Sequence, residues 1–358
     1  MSKVCDIYFV ESLEIITKKY KISDDVAGAT FMAIGSSAPE LFIAMIALTK
    51  FGVESVGVGT IVGSAIFNIL VITGASAWVS KAVLEWKPVM RDIFFYILSL
   101  VILIYTFWDG NITLAESLVY VVFYGVYLLV LKNWKSWVPT KERESEENLK
   151  EMAEHELEEY EKEMMKKKNF LGLVERFTSG VLKLTFPNLK KKPHLFMTTF
   201  AVSILWIALL SWAMVEIGVE LAHDLGIPEA IIGLTILAAG TSVPDLLSSV
   251  IASKRGYGNM AISNALGSNT FDILIGLGLP WVIYILVKGG DVNVRTESLL
   301  SSMILLFATV LLFAFIIIGK KFELSRREGF FLIIIYVLYL SFAVTMALYP
   351  DLLASFSF

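Results

Sequence analysis

Nine apolar runs, each about twenty residues long, occupy most of this chain. A helix rises about 1.5 Å per residue, so a run of this length matches a bilayer core of about 30 Å. Hydrophobic residues make up 56% of the 358 residues and charged residues only 18%, which is less charge than soluble domains carry. We predict an all-α polytopic membrane protein with spans near 26–49, 57–79, 92–108, 114–131, 195–217, 228–252, 260–287, 297–318 and 329–348.

A polar segment separates the spans into two groups. Residues 141–168 hold seven Lys or Arg and eleven Glu, which leaves too few apolar residues for a packed core. We therefore divide the chain into an N-terminal membrane half, a connecting loop and a C-terminal membrane half, at 1–131, 132–193 and 194–358.

The positions of Lys and Arg predict the orientation of the spans. Cytoplasmic loops of membrane proteins are enriched in these residues. Alternate connections are basic here, whereas the connection 218–229 contains no Lys or Arg. This bias predicts a cytoplasmic central loop and an extracytoplasmic C-terminus.

One segment occurs twice, 205 residues apart: residues 28–41 read GATFMAIGSSAPEL and residues 233–246 read GLTILAAGTSVPDL. Each copy places a proline and then an acid, Glu40 or Asp245, inside an apolar run. Ionisable residues at such positions are rare and usually functional. With the predicted orientation the two copies cross the membrane in opposite directions, and transporters built from inverted repeats bind their substrate between the repeats near the midplane.

A second repeated element lies on the span that follows each acid. Residues 63–70, GSAIFNIL, correspond to residues 267–274, GSNTFDIL, so Asn68 corresponds to Asp272. Oxygen is the shared feature of the polar side chains in the two repeats. The candidate ligands are Glu40, Asp245, Asp272, Asn68, Ser36, Ser37, Thr241, Ser242, Ser64 and Ser268. Hard cations such as Ca²⁺ and Na⁺ prefer oxygen, and the lack of His or Cys in this set argues against Zn²⁺ or Cu⁺.

The proline before each acid is expected to open its helix, because it lacks an N–H group and clashes with the preceding turn. The freed carbonyl groups could then coordinate an ion. Small residues allow helices to approach closely, and we expect this of Gly28, Gly35, Gly233 and Gly240. Three neighbouring carboxylates cannot all stay ionised without cations, so one Ca²⁺ or several monovalent ions would compete for the site.

These repeats resemble the alpha repeats of the cation/Ca²⁺ exchanger superfamily, most closely the K⁺-dependent Na⁺/Ca²⁺ exchangers. Residues 25–42 carry the resemblance in the first repeat, and residues 240–246 and 267–272 carry it in the second. It extends over nearly all spans but not over the central loop. The resemblance implies an inverted-repeat exchanger fold of ten helices, with the first one truncated here because the apolar stretch 4–16 is too short to span.

The resemblance also implies roles for individual residues. Glu40 and Asp245 match the acids that coordinate Ca²⁺. Asp272 matches the acid associated with K⁺ cotransport, where K⁺-independent relatives have Asn, and Ser248 lies near the proposed K⁺ site. The residues that match flanking oxygen ligands are Ser37, Ser242, Asn68, Ser64 and Ser268.

The expected function is therefore antiport of Na⁺ against Ca²⁺ plus K⁺ by alternating access, not catalysis. Two alternatives stay open: a K⁺-independent Na⁺/Ca²⁺ or Ca²⁺/H⁺ exchanger, and a truncated, transport-dead form that pairs with full-length exchangers. An intramembrane aspartyl protease is disfavoured because its Tyr-Asp and Gly-x-Gly-Asp motifs are absent from the sequence. We expect residence in the plasma membrane, the transported ions as ligands, no cofactor and no nucleic-acid partner, and we leave a homodimer open.

Overall fold

The structure, a computed structural model, describes residues 4–9, 12, 15, 33–137, 170–187, 193–254, 258–294 and 297–348. The beginning of the first predicted span, residues 26–32, and the charge-rich segment 141–168 lie outside these residues. So does the prediction for Gly28.

Helices account for nearly all of the regular structure in the described part of the chain. The α-helices are α1 Ala33–Ile46, α2 Glu54–Phe67, α3 Thr73–Val79, α4 Trp86–Thr106, α5 Leu114–Trp137, α6 Phe170–Thr185, α7 Phe196–Leu225, α8 Glu229–Ile232, α9 Ala238–Lys254, α10 Gly258–Phe271, α11 Gly278–Lys288, α12 Glu297–Gly319 and α13 Arg326–Leu348. Short π-helical segments are Val4–Phe9, Ala47–Phe51, Asn68–Ile72, Gly233–Leu237 and Asp272–Leu277. The strands are β1 Ala82–Val83, β2 Asn111–Ile112, β3 Val292–Asn293 and β4 Glu323–Leu324.

Seven helical stretches in the described residues are long and apolar enough to cross a membrane. They coincide with seven of the nine predicted spans, which confirms the polytopic all-α prediction. The predicted span 228–252 consists of α8, a π-helical segment and α9, and its apolar part Glu229–Val243 is shorter than the others. Of the predicted span 26–49, the described part is α1 with the π-helical segment after it.

The strand pairs reveal how the two halves are related. Strand β1 precedes α4 and pairs antiparallel with β4, which follows α12. Strand β2 follows α4 and pairs antiparallel with β3, which precedes α12. The beginning of each of these two helices therefore lies beside the end of the other, so α4 and α12 run in opposite directions. This arrangement confirms the inverted repeat.

Glycines let the first repeat approach the second. A Cβ atom added at Gly233 would lie 2.6 Å from the carbonyl oxygen of Val56, and one added at Gly59 would lie 2.6 Å from the carbonyl oxygen of Ala230. The contacts advance along both segments together, because Gly63 meets Leu234 and Ala238 one turn further on. Helix α2 therefore runs parallel to the α8–α9 segment, with backbone packed against backbone.

We expect Gly233→Ala to destabilise the protein by about 1–3 kcal/mol, because its methyl group has no room unless the two backbones separate. Gly125→Ala is the matched control, since a Cβ atom there meets nothing within 4 Å among the described residues. The measurement is thermal unfolding of both variants in one detergent. Equal melting temperatures would contradict the close approach.

By internal contacts the chain divides into two units. One unit comprises Met1–Ser36 and Leu128–Ile207. Within it the rings of Tyr8 and Phe186 stack with centroids 3.9 Å apart. The other unit comprises Ser37–Tyr127 and Ala208–Phe358. It contains Glu40, Asp245 and the whole of the second repeated elements, and it is the unit in which the candidate site lies.

Candidate ion-binding site

The two prolines do not interrupt their helices. Helix α1 continues from Ala33 to Ile46 through Pro39, and α9 continues from Ala238 to Lys254 through Pro244. The expected opening of the helix at these prolines was therefore wrong. What each proline still does is remove one backbone N–H, so that the carbonyl group four residues earlier lacks its usual helical donor. Those carbonyl groups belong to Gly35 and Gly240.

The second repeated elements do contain a helical irregularity. A π-helical segment begins at Asn68 and another begins at Asp272, the two residues that the repeat aligns. A π-helical turn widens the backbone ring and shifts the hydrogen-bond pattern by one residue, and such turns are frequent at functional sites. The inverted repeat thus places the same distortion at the same position in both copies.

The amide of Asn68 is held in one orientation by a chain of hydrogen bonds. Asn269 Nδ2 donates to the carbonyl oxygen of Ala65 at 3.2 Å and to Tyr96 Oη at 3.3 Å, which leaves Asn269 Oδ1 as an acceptor. Asn68 Nδ2 donates to Asn269 Oδ1 at 2.8 Å and reaches Ser268 Oγ at 3.5 Å. The amide oxygen, Asn68 Oδ1, takes no part in this chain of hydrogen bonds.

Two hydroxyl groups of the site, those of Thr241 and Ser268, donate to carbonyl oxygens of their own helices. Thr241 donates to the carbonyl oxygens of Leu237 and Ala238 at 3.2 and 3.1 Å. Ser268 donates to the carbonyl oxygen of Ala265 at 3.3 Å. A hydroxyl has one proton and two lone pairs, so these bonds leave lone pairs for another partner. Ser64 Oγ and Ser242 Oγ lie 2.8 Å apart and link the first repeat to the second.

Two carboxyl groups are deeply buried here. Glu40 is 3% exposed and Asp272 is 1% exposed. Glu40 lies within hydrogen-bonding reach of Thr241 and Ser64, and Asp272 within reach of Ser37. Asp245 is only half-buried.

Three buried oxygens of the site have no hydrogen-bond partner among the described residues: Glu40 Oε2, Asn68 Oδ1 and Asp272 Oδ1. A buried polar atom without a partner costs about 1–3 kcal/mol, and more when it is charged. Native proteins rarely retain such atoms unless they serve a ligand or a function. A dehydrated cation needs oxygen ligands, and these three oxygens in the two repeats are suited to that role.

The polar side chains that the structure brings together here differ in chemical type. Among the residues that the structure describes, no group of three or more His, Cys, Asp or Glu side chains has a spacing that would hold a metal ion. Asp272 is close enough to Glu40 and Asp245 for their charges to act on it. The oxygens that the structure brings together are therefore of mixed type, from carboxyl, amide and hydroxyl groups. The side chains of Ser36 and Ser248 lie outside the described residues.

Two residues of the hydrogen-bond chain were missed by sequence reasoning. Asn269 lies within the repeated element but was not counted as functional, and Tyr96 lies on α4, away from both repeats. Both are fully buried. Their only signal in the sequence is a polar side chain inside an apolar run, which is weaker than a charge.

We expect Asn269→Ala to raise the Ca²⁺ concentration needed for half-maximal transport by about tenfold or more, because residues that orient a metal ligand contribute about 10–100-fold to affinity. Asn133→Ala is the matched control, since Asn133 is exposed and, among the described residues, bonds only to the backbone of its own helix. Concentration dependence of uptake is the measurement. A change in maximal rate with unchanged half-saturation would count against this positioning role.

This protein is a membrane-spanning helical bundle, and its inverted repeats meet at buried polar side chains. That architecture is typical of secondary transporters. Comparison with known proteins identifies the family. The family described as sodium/calcium exchanger protein matches residues 1–132 and 195–345. The chain belongs to this family and is an integral membrane protein.

Several relatives in this family are sodium/potassium/calcium exchangers. Sodium/potassium/calcium exchanger 3 of Rattus norvegicus is 31% identical, with 95% of this chain and 80% of the relative covered. Exchanger 2 of Homo sapiens is 30% identical, with 97% and 76% covered. Exchanger 4 of Mus musculus is 29% identical, with 95% and 78% covered. The expected resemblance to K⁺-dependent exchangers is confirmed at this level.

Solved structures of other exchangers share the fold. The H⁺/Ca²⁺ exchanger CAX superposes with a TM-score of 0.67 at 13% identity, covering 98% of this chain and 84% of that one. The sodium-calcium exchanger NCX_Mj superposes with a TM-score of 0.55 at 21% identity, covering 95% and 94%. The predicted inverted-repeat exchanger fold is therefore confirmed.

Proposed function

We propose that this protein exchanges Na⁺ for Ca²⁺ together with K⁺, by alternating access to a site between its two repeats. The observation that carries the proposal is the set of three buried oxygens without partners, Glu40 Oε2, Asn68 Oδ1 and Asp272 Oδ1. They come from both repeats, and a cation between the repeats would satisfy them.

The charge of the carboxyl groups favours a particular ion load. Glu40, Asp245 and Asp272 carry a total charge of about −3 when ionised. One Ca²⁺ and one K⁺ together neutralise it, whereas Ca²⁺ alone leaves one negative charge in a medium where an uncompensated charge is costly. Several Na⁺ ions neutralise the same charge, so the two loads exclude each other. The names of the relatives are consistent with this ion set.

The neutral oxygens suit the same ions. Ca²⁺ takes six to eight oxygen ligands, and Na⁺ and K⁺ also prefer oxygen. Within this proposal Glu40 and Asp245 bind Ca²⁺, and Asp272 with Ser248 binds K⁺. The remaining ligands complete the shells, and they are Asn68, Ser36, Ser37, Thr241, Ser242, Ser64 and Ser268.

The cellular arrangement is part of the proposal. We place the central loop in the cytoplasm and the C-terminus outside, because Lys and Arg concentrate on alternate connections. The plasma membrane is the proposed location. Labelling of single introduced cysteines with an impermeant thiol reagent, after Cys5→Ser, tests the orientation. Equal labelling of loop and C-terminus from outside would contradict it.

Transport itself is tested with the full chain in liposomes. Vesicles loaded with Na⁺ and K⁺ and diluted into Na⁺-free buffer with K⁺ should accumulate Ca²⁺, and the ionophore monensin, which dissipates the Na⁺ gradient, should abolish the uptake. Uptake that persists in monensin would exclude Na⁺ as the driving ion. Ca²⁺ uptake driven by a pH gradient would instead identify a Ca²⁺/H⁺ exchanger. A complete absence of Ca²⁺ flux would favour the transport-dead form.

A further inference from the structure

A groove between α12 and α13 lies outside the ion site. Its cavity volume is about 350 Å³. Phe315, Ile316 and Phe331 form its apolar walls, and Lys320, Arg327 and Glu328 lie at its rim. The side chains of Phe315 and Phe331 are 75% and 49% exposed. On two membrane-spanning helices, such exposed aromatic side chains contact lipid acyl chains.

The rim of this groove is basic. Residues 320–328 contain the cations Lys320, Lys321, Arg326 and Arg327 and the acids Glu323 and Glu328. Glu323 pairs with Lys81 at 2.6 Å across the β1–β4 strand pair. When Lys81 is included, five cations and two acids lie in this region, so the rim keeps a positive charge.

Glu328 is engaged within the turn that begins α13. Its carboxylate lies 2.9 Å from Lys320 Nζ and accepts hydrogen bonds from the backbone N–H of Ser325, at 3.0 Å, and from the Ser325 hydroxyl. This Ser-x-x-Glu arrangement is a capping box. It leaves Arg327 exposed at the rim, with no ion pair among the described residues.

We propose that this groove binds an anionic phospholipid, with the phosphate at Lys320 and Arg327 and one acyl chain along the walls of the groove. Two features support a phospholipid as the occupant. First, the groove has apolar walls next to a basic rim, just as a lipid has an apolar acyl chain next to its headgroup. Second, the positive charge of the rim is opposite to the negative charge of the headgroup. Basic pockets between membrane helices bind anionic headgroups.

Photolabelling tests this proposal independently of transport. The full chain is reconstituted in phosphatidylcholine vesicles that contain a small fraction of phosphatidylglycerol with a photoreactive group in its acyl chain. The control vesicles contain the same group on phosphatidylcholine. We expect phosphatidylglycerol to label peptides of α12 and α13 severalfold more than phosphatidylcholine does. Millimolar inorganic phosphate should not compete, because the acyl chain contributes to binding.

Two neighbouring arginines give a matched pair of variants. Arg327→Gln should lower the labelling preference roughly fivefold, since one basic residue near a membrane surface contributes about that factor. Arg326→Gln makes the same charge change on a residue that does not line the groove, and it should have a smaller effect. Equal effects of the two variants would overturn the site in favour of general surface attraction. Equal labelling by the two lipids in the wild-type protein would overturn it as well.

Discussion

Glu40→Gln should reduce Na⁺-driven Ca²⁺ uptake by about a hundredfold or more. Glutamine preserves the size of the side chain and an oxygen that Thr241 and Ser64 can reach, so the packing of the buried site is kept. It removes the negative charge at Oε2, which has no hydrogen-bond partner among the described residues. Loss of one member of a buried charge pair is worth about 3–5 kcal/mol, and every 1.4 kcal/mol is tenfold in affinity.

The measurement is initial ⁴⁵Ca²⁺ uptake at equal amounts of reconstituted protein. Glu220→Gln is the control, because this substitution makes the same chemical change at a residue that is exposed on α7. Asp245→Asn should behave like Glu40→Gln if the two acids share the Ca²⁺ load. Robust uptake by both acid variants would exclude the model in which two carboxylates bind Ca²⁺.

Asp272→Asn should abolish the dependence of transport on K⁺ while some Na⁺/Ca²⁺ exchange is retained. The change leaves two carboxylates instead of three, so the total charge of the site goes from about −3 to about −2. Ca²⁺ alone neutralises that charge. The fold has a precedent for asparagine at this position, because Asn68 begins the equivalent π-helical segment in the first repeat. Loss of activity through misfolding is therefore not the expected result.

Uptake at several K⁺ concentrations, in wild type and variant, measures this effect. The wild-type rate should rise with K⁺, and the rate of Asp272→Asn should stay constant. Ser37→Ala separates charge from hydrogen bonding, because Ser37 contacts the same carboxylate but carries no charge. An unchanged K⁺ dependence in Asp272→Asn would assign K⁺ binding to other residues.

Hydrophobicity and repetition predicted the fold well, because a bilayer imposes length and composition on every span. Seven predicted spans, the inverted repeat and the correspondence of Asn68 with Asp272 all follow from these two signals. The strand pairs β1–β4 and β2–β3 give the inversion a structural basis that did not depend on counting charges.

The finer geometry of the site could not be predicted in the same way. Pro39 indicated a broken helix, yet α1 continues through it, since one missing N–H is tolerated when the neighbouring turns stay bonded. The π-helical segments at Asn68 and Asp272 have no composition that distinguishes them from an ordinary turn. Tyr96 joins the hydrogen-bond chain only through tertiary packing, which the order of residues along the chain does not reveal.

The most direct test of coupled transport is Na⁺-gradient-driven ⁴⁵Ca²⁺ uptake in liposomes, first with K⁺ and then with Li⁺ in its place. ⁸⁶Rb⁺ serves as a tracer for K⁺ in a parallel sample. Exchange of Na⁺ for Ca²⁺ plus K⁺ predicts Ca²⁺ uptake only with K⁺, together with Ca²⁺-dependent ⁸⁶Rb⁺ uptake. Ca²⁺ uptake at the same rate in Li⁺, without ⁸⁶Rb⁺ movement, would contradict it.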